Sequence, residues 1–377
     1  MTHAADVKYR VQVWSAAVST FAVGSLVCEF ANPKNIGYAR YLNDVGEAFW
    51  TEVQDHPLVS AVAAGEGYYH VYILRNDEVV WRGFLAEHEA TQDDVIFYAY
   101  SYEGFLFWLA TDWNQTWANA QLDTIVSALW TRAKTDLTYS QAGFITTGTI
   151  QAPVTTSGGS TAITLPLYKA YYKRILFCMR ELTAIATSDT TNICYFEVAY
   201  TSTATDKSAT FNFWKNRSTD RSIVWEYGVN IKRFSDRKAA VLNRNDILAV
   251  GSGARNQLYR NRQQTSGGSY GYDIIGRRQE PIYLSWVRDE TDLIRVAKLR
   301  AKRALRSDTN LSLYMANGSI LPVGATGAGY NLGDRVTVRI PRGATQVDKL
   351  LLVVGQQVLA LRGRELVIPM VQERSGS

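Results

Sequence analysis

The sequence predicts a mainly β protein with an α+β insertion, and three observations predict it. Short runs of alternating apolar and polar residues fill 8–110 and 215–320, as half-buried strands require. Between them, 113–214 changes period and reads as helix, polar linker, helix, hairpin. The chain is also rich in aromatics, with 22 Tyr and 10 Trp, residues that favour strands and large interfaces. A length of 377 residues, nearly half of them apolar, allows about two to four domains with real cores and argues against large-scale disorder.

In chain order, Tyr9–Trp14 alternates and opens the first β region. The uncharged run Val11–Cys28 follows Lys8 and Arg10 and superficially resembles a signal peptide. Its Gln12, Ser15, Ser19, Thr20 and Ser25, and the lack of a convincing cleavage site, favour strands. Ala48–Val53 is a further strand, and His56-Pro57 opens a short helix through Ala64, with proline in the tolerated first turn. Tyr69–Leu74 and Val79–Gly83 are strands around an Asn76-Asp77 turn, and Ile96–Tyr102 is another. Trp81 and Gly83 pair a large apolar anchor with a close backbone approach or bulge.

In the insertion, Leu122, Ile125, Val126, Leu129, Trp130 and Ala133 form a helical stripe. Gln151–Ala162 is a Ser/Thr/Gly linker. A second helix is expected after Pro166, with Tyr172, Ile175, Leu176, Met179, Leu182 and Ile185 at helical spacing. Ile193–Thr201 and Ser208–Trp214 read as a hairpin around Thr203–Asp206.

The second β region holds Ser222–Trp225, Gly228–Ile231 and Asp246–Gly251 as strands, with a mobile hairpin tip expected at Gln263–Gly271. Asp289–Arg306 reads as one helix, acidic at its start and basic at its end, which suits the helix dipole. Leu311, Leu313 and Met315 alternate, and Asn317-Gly318 is a hairpin turn signal. A last module is expected as separate, with strands at Arg335–Ile340, Lys349–Val354, Gln357–Leu361 and Glu365–Pro369.

Charge is unevenly divided. Residues 1–150 carry 8 Lys/Arg against 17 Asp/Glu, whereas 151–377 carry 32 against 18. Chance placement of solvated side chains accounts for this, and so does an acidic domain docked on a basic one, within the chain or between copies. Nucleic-acid binding is the weaker third option, because the basic residues are spread along more than half the chain.

No motif for chemistry stands out in the sequence. Cys28, Cys178 and Cys194 form no disulfide framework and fit reduced thiols. His3, His56, His70 and His88 lack metal-ligand spacing. Glu87-His88-Glu89 on a strand sends His88 to one face and the carboxylates to the other, which splits a site. Gly251-Ser-Gly253 and Gly324–Gly329 lack the phosphate-loop Lys-Ser/Thr pair, and no G-x-S-x-G elbow occurs. No run reaches membrane-spanning length; Leu350–Leu361 is interrupted by Gln356-Gln357. No catalytic, cofactor-binding or metal-binding residue is therefore assigned, no cofactor is expected, and the chain is expected not to be an enzyme.

Two groups of residues resemble the tail hub (minor tail) proteins of tailed bacteriophages, a family similar to the baseplate hub ring proteins of contractile tails. In the first region these are Arg40-Tyr-Leu-Asn43, Pro57 and Val80-Trp81-Arg82-Gly83. In the second they are Asn243 or Asn245 with Gly251, Tyr272–Gly276, the 289–306 helix and Tyr330–Asp334. The resemblance implies two similar β-barrel-like hub domains, 1–112 and 215–324, an inserted α+β domain at 113–214, and a small C-terminal β module at 325–377. It further implies a structural virion protein at the distal end of a tail. A homotrimer would alternate its two β domains into a ring of near-sixfold outline and so adapt a sixfold tube to a threefold tip. The implied partners are the distal tail protein, the tape measure protein and tail-tip or fibre proteins, with DNA only in transit and no membrane insertion. Location would be the virion tail tip after assembly in host cytoplasm. The alternative is a carbohydrate- or receptor-binding tail-tip protein in host attachment, its Tyr and Trp stacking on sugars; a cell-wall hydrolase is a third.

Overall fold

Alternation puts one face of each N-terminal strand into a common core. The computed structural model describes residues 7–17, 20–31, 33–111, 115–136, 141–151, 162–186, 194–215, 220–236, 245–251, 260–264, 279–284, 290, 293–294, 297, 310–315, 329–342, 345–361 and 364–372. The first body comprises β1 (Tyr9–Ala16), β2 (Val23–Ala31), β3 (Asn35–Tyr41), β4 (Glu47–Val53), the short α1 (Val59–Ala63), β5 (His70–Arg75), β6 (Glu78–Ala90) and β7 (Asp94–Ser101). The strands pair antiparallel in the order β3-β4-β7-β6-β5-β1-β2. Within the run Val11–Cys28, the described stretches at Val11–Ala16 and Val23–Cys28 are strand, as its polar residues foretell. Val11, Val13, Trp50, Ile73, Trp81 and Phe97 are fully buried in its core. Asn76 and Asp77 take φ +48° and +69°, the left-handed pair that a two-residue hairpin needs. A Cβ at Gly83 would collide with the Tyr100 carbonyl oxygen and the Trp81 ring, so the close approach read from Trp81 and Gly83 is real.

The insertion follows through α2 (Phe105–Trp108), β8 (Thr116–Gln121), α3 (Leu122–Thr131), β9 (Thr146–Ile150), β10 (Thr164–Lys169), α4 (Ile175–Ala186), β11 (Cys194–Ala199) and β12 (Thr210–Lys215). Every residue of the Leu122–Ala133 stripe is buried. The hairpin stands as read, β11 against β12, and β9 joins β12 in parallel. The second helix starts later than expected. Pro166 lies in β10, whose ladder with β8 skips it, as a residue without an N–H permits at an edge. Tyr172 takes φ +46° and is 74% exposed, so the helix cannot begin before Lys173.

The rest comprises β13 (Asp220–Glu226), β14 (Ile231–Asp236), β15 (Asp246–Gly251), β16 (Arg260–Gln264), β17 (Gln279–Leu284), β18 (Asn310–Met315), β19 (Arg335–Arg342), β20 (Thr345–Leu361) and β21 (Arg364–Gln372). Gly228–Asn230, expected within a strand, is a turn entered at Gly228 with φ +88°, and β14 begins at Ile231. Lys349–Val354 and Gln357–Leu361 are one strand of 17 residues, bent by a register shift between Val353 and Gly355. Of the expected 289–306 helix, Glu290, Leu293, Ile294 and Ala297 are helical, and Leu293 and Ala297 pack on Ala249 of β15. The rest of it lies outside the described residues, as do 265–271 of the expected tip, Tyr272–Gly276, Asn317-Gly318 and Gly324–Ala328.

The C-terminal strands do not close on themselves as a separate module. One half of β20 pairs with β19, the other half with β3, and β21 continues to β18 and β14. Among the described residues a 13-stranded sheet results. Val358 and Val367 join the N-terminal core, while Val353 and Val371 join a second core with Trp225, Leu313 and Val338. The reason is physical: β3 offers a second ladder edge, and β20 is long enough to serve both bodies. The first body curls. Arg75 on β5 donates from Nε and one terminal nitrogen to Glu365 on β21 at 2.7 and 2.9 Å, although the two strands stand at opposite ends of the order β21-β20-β3-β4-β7-β6-β5. This is the barrel-like, mainly β architecture with an α+β insertion.

Candidate functional site

Among the described residues no group of His, Cys, Asp and Glu is placed to hold a metal ion. His56 accepts from the Leu58 backbone N–H at the start of α1, at 3.3 Å. His88 pairs with Glu66, and its neighbours Glu87 and Glu89 point to the other face of β6. His70 is fully buried; its Nε2–H donates to the Phe21 carbonyl at 2.9 Å, so Nδ1 accepts from the Tyr102 hydroxyl at 3.0 Å. Burial drops its pKa to about 4, so the ring is neutral near pH 7. The three cysteines are buried, and burial pushes the Cys28 and Cys178 thiols up to about 11, away from nucleophilic thiolate.

The polar residues that are organised hold the insertion against the first body. Arg82 on β6 is 1% exposed. Its guanidinium donates to the carbonyls of Thr203 at 2.8 Å, Ser208 at 3.1 Å and Thr201 at 3.2 Å, and lies 4.3 Å above the Tyr72 ring. One charged fork thus caps the turn of the β11–β12 hairpin. Asn43, at φ +61°, uses both ends of its amide on β11: Oδ1 accepts from the Phe196 N–H at 2.9 Å and Nδ2 donates to the Cys194 carbonyl at 3.3 Å. Glu103 accepts from the Val198 N–H at 2.8 Å, and burial raises its pKa. Arg180 of α4 completes the seam with Asp44. Between these groups lies a small polar cleft lined by Arg40, Arg82, Glu103, Glu197 and Tyr200. Arg82, Glu103 and Glu197 are each hydrogen-bonded there, and the bonds of Arg82 and Glu103 tie the insertion to the first body. Asn43 and Arg82 end and centre the two N-terminal motifs read from sequence; their clamping role had no local signal, because their partners lie 119 to 153 positions away.

Two kinds of surface remain. Exposed aromatics gather on α2, α4 and the turn before α4: Phe107 meets Phe177 edge-on with Arg174 3.7 Å over its ring, and Trp108, Tyr171 and Tyr172 are exposed nearby in the chain. The other is the outward face of the sheet, where Phe49, Ile96, Tyr98 and Leu359 are half-buried and Glu47, Glu87 and Glu89 are exposed.

No protein-family model and no curated protein matches the chain. Solved structures do. The 43 kDa tail protein of prophage MuSo2 from Shewanella oneidensis aligns with a TM-score of 0.64 at 12% identity, over 97% of this chain and 98% of that one. A tail protein from Neisseria meningitidis MC58 aligns with a TM-score of 0.61 at 11% identity, over 97% and 96%. A Francisella PdpA–VgrG complex aligns with a TM-score of 0.56 at 8% identity, over 98% of this chain and 58% of that one. The chain has the fold of these tail proteins from end to end.

Proposed function

We propose that this chain is a structural, non-enzymatic subunit of a phage-type tail, the hub ring at its distal end. The end-to-end likeness to prophage tail proteins carries this reading. The clamp of Arg82, Asn43 and Glu103 supports it, since it spends the buried polar groups on rigidity. Three copies alternate their two β bodies around a ring of near-sixfold outline, which adapts a sixfold tube above to a threefold tip below. The insertion and the exposed aromatic surfaces then meet the distal tail, tape measure and tip or fibre proteins, and DNA passes in transit. The four proposed segments are 1–112, 113–214, 215–324 and 325–377, the last serving as the strap between the two β bodies. Negative-stain electron microscopy of the purified protein tests this. Class averages with threefold rings are expected; monomers at every concentration overturn it.

A second reading rests on the exposed aromatics of α2 and the turn before α4. Tyr171, Tyr172 and Trp108 are exposed, as the aromatics of sugar-stacking sites are. Glycan-array binding that is lost in Tyr172→Ala and Trp108→Ala would move the reading to receptor binding at the tail tip.

A further inference from the structure

Two sheet faces of this chain lack a cover among the described residues, and they are opposite in charge. The first is the outward face of β4, β7 and β6. Register sets Phe49 beside Tyr98, Glu87 beside Tyr98, Glu89 beside Ile96 and Glu47 beside Tyr100. Its centre is apolar and half-buried, and its rim is carboxylate. The Tyr98 hydroxyl donates to Glu89 at 3.3 Å, so even the aromatic ring carries the acidic rim.

The second face belongs to the small sheet β16-β15-β17. Its inner side is closed by Leu293 and Ala297 on Ala249 and Ile282. On the opposite side, Val250 stands between Arg260 and Tyr283, and Leu248 between Arg262 and Pro281. Tyr283 is 78% exposed, the highest value among the large apolar side chains of the described residues. Arg262 is matched by Asp246 through two hydrogen bonds of 2.8 and 2.5 Å, which stiffens the strand carrying Arg260. This face is therefore apolar at its centre, and its net charge is the cation of Arg260, since Arg262 is paired with Asp246.

We propose that these two faces dock on each other between copies: the acidic face of one copy receives the Tyr283 and Arg260 face of the next. Opposite rims around apolar centres select the partner and set the register. The occupant is a second copy because this chain supplies both halves. Each contact also leaves one face of each kind open, so the contact is head-to-tail and closes only as a ring. The proposal rests on the ring reading above and assigns its contact surfaces.

Charge exchange tests it, read by sedimentation velocity over a dilution series at fixed salt. Glu87→Lys with Glu89→Lys is expected to raise the dissociation concentration by about tenfold or more, and Arg260→Glu to do the same. The triple variant, with the charges exchanged, is expected to recover to within about threefold of the parent. Tyr283→Ala, at an exposed position, should weaken assembly at unchanged melting temperature. A parent that assembles while the triple variant shows the sum of the losses overturns these surfaces and leaves the ring standing. A parent that stays monomeric overturns the ring and the surfaces together.

Discussion

Two side chains show what single residues do here. Arg82 satisfies three carbonyls of one turn with a single guanidinium. Hydrogen bonds to a charged group contribute about 1.5–3 kcal/mol each, and here a buried guanidinium makes three that are part-buried. Arg82→Met should lower the unfolding free energy by about 3 kcal/mol or more in urea titration. Arg82→Lys should recover only a part, because the three donors of an ammonium radiate from one nitrogen and cannot reproduce the planar fork that meets these carbonyls from two separate nitrogens. Equal stability of both variants and the parent would show that the turn stands without the clamp. His70 makes a prediction about pH. Its folded pKa, about 4, lies below the ordinary value of 6.5. The unfolded chain therefore takes up the proton first as pH falls. The stability held by the neutral ring is complete above pH 6.5 and is lost as pH falls from 6.5 towards 4, by about 3 kcal/mol at the limit. Protonation puts a second N–H against the Tyr102 hydroxyl in a site with no carboxylate hydrogen-bonded to the ring. His70→Gln, neutral throughout, should be less stable near pH 7 and lose less between pH 6.5 and 4. Parallel stability curves for parent and variant would clear His70 of this role.

At the scale of elements, what could be read from sequence was what lies within one period of the chain. The stripe Leu122–Ala133 announced α3 because each member repeats at helical spacing and each is buried. The β11–β12 hairpin announced itself by two alternating runs around Thr203–Asp206. The misreadings share one cause. Helical spacing runs on through Tyr172, but the positive φ at that residue is set by the stitches around it: Ile175 N–H to the Leu109 carbonyl, and Thr111 to Ala170 and Lys173. Likewise Gln356-Gln357 looked like a break. Gln356 is nevertheless 2% exposed within one strand, because that strand changes partners there and needs no alternation across the change. The clamp was half legible: the Arg40–Asn43 and Val80–Gly83 motifs could be named, but the carbonyls and amides they hold belong to a hairpin far along the chain.

At the scale of the whole molecule, the C-terminal strands decide whether there is one folding unit or several. A ladder between β3 and β20 joins residues more than 300 positions apart, and no local pattern encodes it. Were 325–377 independent, its removal would leave the first body intact. The architecture says otherwise. Without β20 and β21 the first core loses Val358 and Val367, β3 becomes an open edge, and Arg75 and Tyr9 lose the carboxylate of Glu365. The milder test keeps the chain whole. Glu365→Gln should cost about 2 kcal/mol, since it leaves a half-buried guanidinium without its counter-charge. The stronger test ends the chain after Gly324. That fragment should lose the cooperative thermal transition and expose enough apolar surface to bind a hydrophobic dye, because an unpaired β3 edge and two opened cores cannot hold tertiary packing. A fragment that melted sharply, at a temperature near that of the full chain, would mean that the strap adds nothing to the N-terminal body and that the sheet is two structures laid side by side. The same strap carries a consequence for assembly. If both β bodies share β20, their mutual angle is fixed before any copy meets another, and a head-to-tail contact between them closes at one number of copies only.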